Sequence, residues 1–331
     1  MSGYHSYKSR SIVGFVSLLA SVITLVGCSL GPQPTGSAEP AEVSDRYIAI
    51  TLDDAPLGEG AKGNWDRAGA LILGLAEAQV QAAFFATTGN FEKVHSGEER
   101  LRRYGEAGHL IANHTHSHQW LSETDALDYL ADIDFAESKL EGLPNRRPWF
   151  RYPYLDQGRR DLSKRSVVRK GLSERGLIDG YVTVDTYYWH FDRRWNEAVN
   201  AGIVVDEERL EDVYVDMVVD AAAHAYALAE KWIGKQPVHV LLLHENDSAG
   251  VFLPSAIEGL RKAGWRIVGP DEAYLTPLKQ PITSFTGMGR IASLAQEAGA
   301  RGAEEFNHWS SSEEGIDKRL NFIAAFAPPS K

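Results

Sequence analysis

Two periods of hydrophobic and polar positions alternate along the chain. Seven short apolar runs, at 47–53, 82–87, 109–113, 149–153, 180–186, 238–244 and 265–269, have the length and composition of buried strands. Between most of them apolar residues recur three and four apart. This predicts helices over 66–79, 123–142 and 206–233, and shorter ones over 97–107, 163–176 and 254–263. Ser122 or Thr124 is placed to cap the second of these. Strand–helix alternation predicts an α/β fold with a parallel sheet and helical crossovers. No G-x-G-x-x-G loop follows the first run, which turns the reading from an open doubly wound sheet toward a closed or nearly closed barrel. After about Leu275 the alternation stops. Residues 276–331 carry only short helical patterns, at 287–298 and 313–323 in polar surroundings, and read as a C-terminal extension.

The start of the chain has a different pattern. Lys8 and Arg10 precede an uncharged run from Ser11 to Gly27, the n-region and h-region of an export signal, and too short for a membrane span. The run ends in Leu25-Val26-Gly27-Cys28, which resembles the lipobox of bacterial lipoproteins. The chain has one cysteine, so no intramolecular disulfide is available, and a lipid-carrying Cys28 accounts for it. Residues 1–27 are therefore expected to be a lipoprotein signal peptide. Residues 28–45, rich in Pro, Gly, Ser and Ala, read as a flexible tether. The body is expected outside the cytoplasm, held to a bacterial membrane through lipid on Cys28 and facing the periplasm or the exterior. A formal charge of −11 argues against a nucleic-acid partner, which needs a basic face.

Candidate chemistry gathers at the C-terminal ends of the expected strands, where (β/α) barrels carry their active sites. The first run ends in Asp53-Asp54, and the third leads into His114-Thr115-His116-Ser117-His118. The fourth carries Arg151-Tyr152-Pro153-Tyr154, the fifth holds Asp185 before Tyr187-Tyr188-Trp189, and the sixth ends in His244-Glu245-Asn246-Asp247. Taken singly, each has a structural explanation. Paired aspartates cap helices, a His-x3-His pair is often solvated, Arg151 suits an ion pair, and His244 could close an apolar strand. Their convergence on one end of a barrel favours a site.

The ordered set resembles the NodB-homology polysaccharide deacetylases, carbohydrate esterase family 4, over roughly residues 46–275. Thr51-Leu52-Asp53-Asp54 is similar to that family's first motif, and His114-Thr115-x-x-His118 to its second. Phe150 to Tyr154 is similar to the third, Asp185 to Trp189 to the fourth, and Leu242-Leu243-His244 to the fifth. The resemblance implies a distorted (β/α)7 barrel. It also implies a divalent metal, zinc first with cobalt or manganese also suited, on Asp54, His114 and His118. Asp53 would be the general base for the attacking water, kept ionised by the cation and Arg151. His244 would be the acid that protonates the leaving amine, with Asp185 orienting or charging it. A backbone N–H at Tyr154 would help hold the oxyanion. Trp189 and Tyr154 would stack on sugar faces, Thr115 would brace its loop, and His116 would point away. The chain departs from the family at Leu52, at Ala55 and at Tyr188, which stands where a second acid is usual. The implied activity is removal of N-acetyl groups from an N-acetylated envelope or extracellular polysaccharide. Hydrolysis of another C–N bond or an O-acetyl ester, and a non-catalytic carbohydrate-binding lipoprotein, are the alternatives.

Overall fold

The computed structural model describes residues 45–322 and 326–327. The expected export signal, Cys28 and the expected tether up to residue 44 lie outside the described residues. The strands are β1 (Tyr47–Ala55), β2 (Ala82–Ala86), β3 (Leu110–Asn113), β4 (Arg146–Phe150), β5 (Ile178–Asp179), β6 (Val204–Val205), β7 (Val238–His244), β8 (Arg266–Ile267) and β9 (Phe326–Ala327). Seven of them form one parallel sheet in the order β5-β4-β3-β2-β1-β7, with β8 beside the start of β1. β6 and β9 make a separate antiparallel pair.

The two ends of the sheet are joined by one stretch of chain. Just past β5, the Gly180 N–H donates to the carbonyl of Phe150 in β4 (2.7 Å). A few residues on, the N–H groups of Thr183 and Val184 reach the carbonyl of Val240 in β7, and the Leu242 N–H returns to Val184 (3.0 Å). Residues 178–184 thus bridge β4 and β7 and close a distorted (β/α)7 barrel. The expected strand over 180–186 is irregular for this reason: its backbone serves first one neighbour and then the other. Alternation along the strands sorts side chains into two layers. Ile48, Ile50, Leu52, Phe84 and Ile111 pack outward under the helices, whereas Ala49, Ala83, Phe85 and Ala112 belong to a second cluster on the inner face. Small alanines at these inner positions leave room inside the barrel for the long side chain of Arg151.

The helices are α1 (Arg67–Glu77), α2 (Gly97–Glu106), α3 (Ala126–Leu140), α4 (Leu162–Glu174), α5 (Tyr188–Asn200), α6 (Glu207–Trp232), α7 (Asp247–Lys262), α8 (Pro270–Leu275), α9 (Gly289–Ala298) and α10 (Glu313–Phe322). Asp66, Asp125, Asp161, Asp206 and Asn246 cap α1, α3, α4, α6 and α7, each accepting from a backbone N–H of the first turn. Asp125, not Ser122 or Thr124, caps α3; the two hydroxyl residues lie in and after a 3-10 turn at Leu121–Glu123. Helix α7 begins at Asp247 and runs through Pro254, which the sequence reading took for a start. Pro254 is accommodated because its ring lies against Gly74 of α1, where a Cβ would come within 2.7 Å of Pro254 Cγ. Helix α5 was not expected: the aromatic run at 187–189 opens it, and Phe191 and Trp195 carry it into the core.

The C-terminal extension is part of the core. Leu278 and, from α9, Ile291, Leu294 and Ala295 complete the inner cluster. Arg165 and Arg169 of α4 grip the extension's backbone, and its own Arg290 holds a barrel carboxylate. Arg165 donates to the carbonyls of Ile282 (3.1 Å) and Ser284 (3.4 Å), Arg169 to Pro281 (2.9 Å), and Arg290 of α9 pairs with Asp179 (2.5 Å). Among the described residues no helix is long and apolar enough to cross a membrane.

Candidate metal and catalytic centre

The site forms where β1, β3, β4 and β7 end. In β1 the inner face runs Ala49, Thr51, Asp53, so alternation aims Asp53 into the barrel, and the parallel register sets it beside His244 of β7. Five residues around this point are non-glycine residues in the left-handed region: Asp54 (φ 61), Thr115 (φ 69), His118 (φ 52), Tyr154 (φ 56) and Leu155 (φ 52). Such a conformation costs roughly 1–2 kcal/mol per residue and persists only where surrounding contacts impose it. In the histidine loop those contacts are visible. The Thr115 N–H donates to Asn113 Oδ1 (2.7 Å), and the His118 N–H donates to Thr115 Oγ1 (3.0 Å), which turns His118 back toward His114.

Asp54, His114 and His118 each offer one ligand atom, and these atoms lie within 4.8 Å of one another. Asp54 Oδ1 is 2.9 Å from His118 Nε2 and 3.4 Å from His114 Nε2. The donor set fits a divalent ion of the zinc type, one oxygen and two imidazoles. The hydrogen bonding fits as well: His114 Nδ1 donates to the carbonyl of Arg151 (2.9 Å), so its lone pair sits on Nε2 and faces Asp54. Burial pushes His114 down to about 3, so its imidazole is neutral as a ligand must be. For Asp54, burial acts upward but is outweighed by His244, His118 and His114, which hold the carboxyl well below the usual carboxylate range. For His118, burial acts downward and the hydrogen bond with Asp54 overrides it, raising the ring. His116 stands apart, its Nδ1 3.0 Å from Thr88 Oγ1 and its ring edge-on to Phe135 at 4.6 Å.

Asp53 and Arg151 form the buried half of the site. Arg151 is 1 % exposed, and its guanidinium binds Asp53 Oδ1 (2.5 Å), Thr51 Oγ1 (2.8 Å), the Gly180 carbonyl (2.7 Å) and the Tyr274 hydroxyl (3.1 Å), over the ring of Phe85. That leaves Asp53 Oδ2 as the freer oxygen, 3.7 Å from His114 Nε2. Burial raises Asp53 to about 6 against the opposing pull of Arg151 and His244. A carboxylate there is a better base than an ordinary aspartate and still ionised at neutral pH.

His244 is half-buried, its Nε2 3.6 Å from Asp54 Oδ2. The expected link from Asp185 to His244 is not made, since no hydrogen bond or ion pair joins them among the described residues. Asp185 instead lines the cleft as a neighbour of Asp53, and burial, with the Asp53 charge adding, pushes it up to about 7. The ring of Tyr188 packs edge-on to His244 (4.8 Å, 61°), and its buried hydroxyl has no hydrogen-bond partner among the described residues. An aromatic ring therefore occupies the flank of His244, and the acid at 185 is a neighbour of Asp53.

These groups open into a cleft of about 510 Å³. Tyr154 (45 % exposed) and Trp189 (37 %) both line it. Tyr187, in the fourth motif, lines it as well, and the sequence reading passed over three further lining residues: Trp120, Leu155 and Gly287. Trp120 stacks flat on Tyr154, with centroids 3.8 Å apart and planes at 2°. Its place two residues beyond His118 was the one available signal. Gly287 comes from the C-terminal extension and had none.

Residues 41–170 match the family model described as polysaccharide deacetylase. That match takes in Asp53, Asp54, His114, His118, Arg151 and Tyr154, and stops short of Asp185, Trp189 and His244. A chitin deacetylase of Colletotrichum lindemuthianum is 26% identical over 113 residues, covering 33% of this chain and 42% of the relative. A chitooligosaccharide deacetylase of Rhizobium leguminosarum bv. trifolii is 37% identical over 82 residues, covering 25% and 34%. The chain thus matches less than half the length of each of these relatives. Among solved structures, a family 4 carbohydrate esterase from Streptomyces lividans in complex with acetate aligns at 18% identity and a TM-score of 0.43, covering 69% of this chain and 96% of that one.

Proposed function

We propose that the protein is a metal-dependent hydrolase that removes N-acetyl groups from an N-acetylated polysaccharide. The observation that carries this reading is the single grouping of Asp54, His114 and His118 with Asp53 and His244 at one end of the barrel. The polysaccharide deacetylase match and the two deacetylase relatives support it. A divalent ion on Asp54, His114 and His118, zinc first with cobalt or manganese also suited, would supply a Lewis acid that polarises the acetyl carbonyl and acidifies water.

The chain's own residues do the rest. Asp53 takes a proton from the attacking water at Oδ2, its Oδ1 being engaged by Arg151. His244 gives a proton to the leaving amine from the neighbouring register position. The Tyr154 N–H donates to the oxyanion, and the Tyr154 and Trp189 rings flank the sugar. Asp185 does not charge His244: burial and the Asp53 carboxylate push it up to about 7, so it answers to Asp53. Residues 1–27 direct export and lipid on Cys28 holds the body at the membrane. Tyr47, the first residue of β1, lies six residues before Asp53, about 20 Å along the strand.

Acetate release from peptidoglycan, poly-N-acetylglucosamine and chitin oligosaccharides, before and after chelation and metal return, tests the function. Release that vanishes with the metal and returns with it supports the reading. Sugar binding without any acetate release favours a non-catalytic binder. For the anchor, Cys28→Ser should move the protein out of the membrane fraction, and unchanged partition would refute lipidation.

A further inference from the structure

Tyr154 and Leu155 are consecutive left-handed residues, neither of them glycine (φ 56 and 52). Two such residues in a row are unfavourable by a few kcal/mol, so the loop needs contacts to hold it. Its own backbone supplies two turn bonds, Leu155 N–H to Tyr152 O and Asp156 N–H to Pro153 O, each 3.0 Å. The flanking contacts come from the loop that follows His118. Ser122 N–H donates to Asp156 Oδ2 (2.8 Å), and Lys164 Nζ donates to the carbonyls of Leu121 (3.1 Å) and Ser122 (3.2 Å). Leu155 packs against the main core cluster, and the ring of Trp120 lies flat on Tyr154 at 3.8 Å.

Trp120 is not a free platform for a sugar. Tyr154 takes one face, and the Arg159 guanidinium lies over the ring 5.0 Å from its centroid. The Tyr154 ring is in turn wedged between Trp120 and the edge of His118 (4.5 Å). A ring held on two sides cannot swing, and its backbone N–H is held with it. We propose that Trp120 is a positioning residue for the reaction, fixing the left-handed turn that presents the Tyr154 N–H to the oxyanion. This rests on the deacetylase reading above. Its role would be paid out in the transition state and not in sugar binding, because a misplaced donor weakens the developing oxyanion selectively.

The test compares wild type, Trp120→Ala and Trp120→Phe in the full chain, with two readouts. The first is steady-state deacetylation of an N-acetylglucosamine oligosaccharide with bound metal measured in parallel. Trp120→Ala should lower kcat by about tenfold or more with KM and metal content nearly unchanged, and Trp120→Phe should restore most of it, since removing a whole oxyanion donor costs about 10²–10³. The second is amide hydrogen exchange, which does not depend on activity. Exchange at Leu155 and Asp156 should quicken in Trp120→Ala and return toward wild type in Trp120→Phe. A rise in KM alone would make Trp120 a sugar-binding residue and overturn the proposal. Unchanged exchange and unchanged kcat would overturn it as well. If the wild type releases no acetate while exchange responds as stated, the turn-fixing role stands and the deacetylase reading falls.

Discussion

Two polar clusters meet at the ends of β1 and β7, one residue apart along β7, and they differ in how their charges are answered. Behind the strand, Glu245 and Asp247 are fully buried, yet all four carboxylate oxygens have donors. Glu245 accepts from Tyr104 OH and the Leu57 N–H (2.7 Å each), with Arg67 at 3.4 Å and Arg100 at 3.6 Å. Asp247 accepts from Trp65 Nε1 (2.7 Å), Arg67 Nε (2.8 Å) and the Lys62 N–H (2.7 Å). In front, Asp54 sits among three imidazoles at 2.9 to 3.6 Å on left-handed backbone, and Asp53 titrates near 6. Buried charges that are fully paired belong to the fold. Crowded like groups held in strained backbone mark a place kept for something else.

The largest expected effect separates the clusters by stability. Arg67→Ala would leave Glu245 and Asp247 buried without their shared cation, at a cost of about 3–5 kcal/mol in urea unfolding. A cost below about 1 kcal/mol would erase the distinction. On the other side, Asp53→Asn should lower kcat by about 10²–10⁴ while the protein still folds and binds metal. Wild-type kcat in that variant would remove Asp53 from the chemistry.

A smaller effect sharpens the comparison through pH. Asp185 titrates near 7 folded against 3.8 unfolded. The folded chain therefore keeps a proton that the unfolded chain has released, and Asp185 lowers stability progressively as pH rises from about 4 to 7. In chelated protein, Asp185→Asn should flatten the fall in Tm across that window, and an unaltered Tm profile would mean that Asp185 is not held in a charge-excluding position. The smallest effect is expected at His116, which is hydrogen-bonded to Thr88 and off the ligand set. His116→Ala should keep metal content and kcat within about twofold; lost metal would show the ligand set to be wrong.

What the sequence determined was local. The apolar run at 238–244 is β7 to the residue, and the runs at 47–53 and 82–87 lie within one or two residues of β1 and β2, because a strand buried on both faces is written in its own composition. His114 and His118 could be picked out because their spacing within one loop brings them together. What only the tertiary structure decided involved partners remote along the chain. Glu245 and His244 are neighbours in sequence at the end of one strand, and the loop at 57–67 and helix α2 claim Glu245 and leave His244. The run at 180–186 is apolar enough for a strand, but which two strands it must bridge is a property of barrel closure. Asp185 lies four residues from Trp189 in every reading, yet whether it meets His244 or Asp53 depends on how the segment turns between β5 and α5, and the ring of Tyr188 takes the place beside His244. Residues 276–322 look polar because only one face of each short helix is apolar. That face becomes core once the barrel offers an inner cluster to complete.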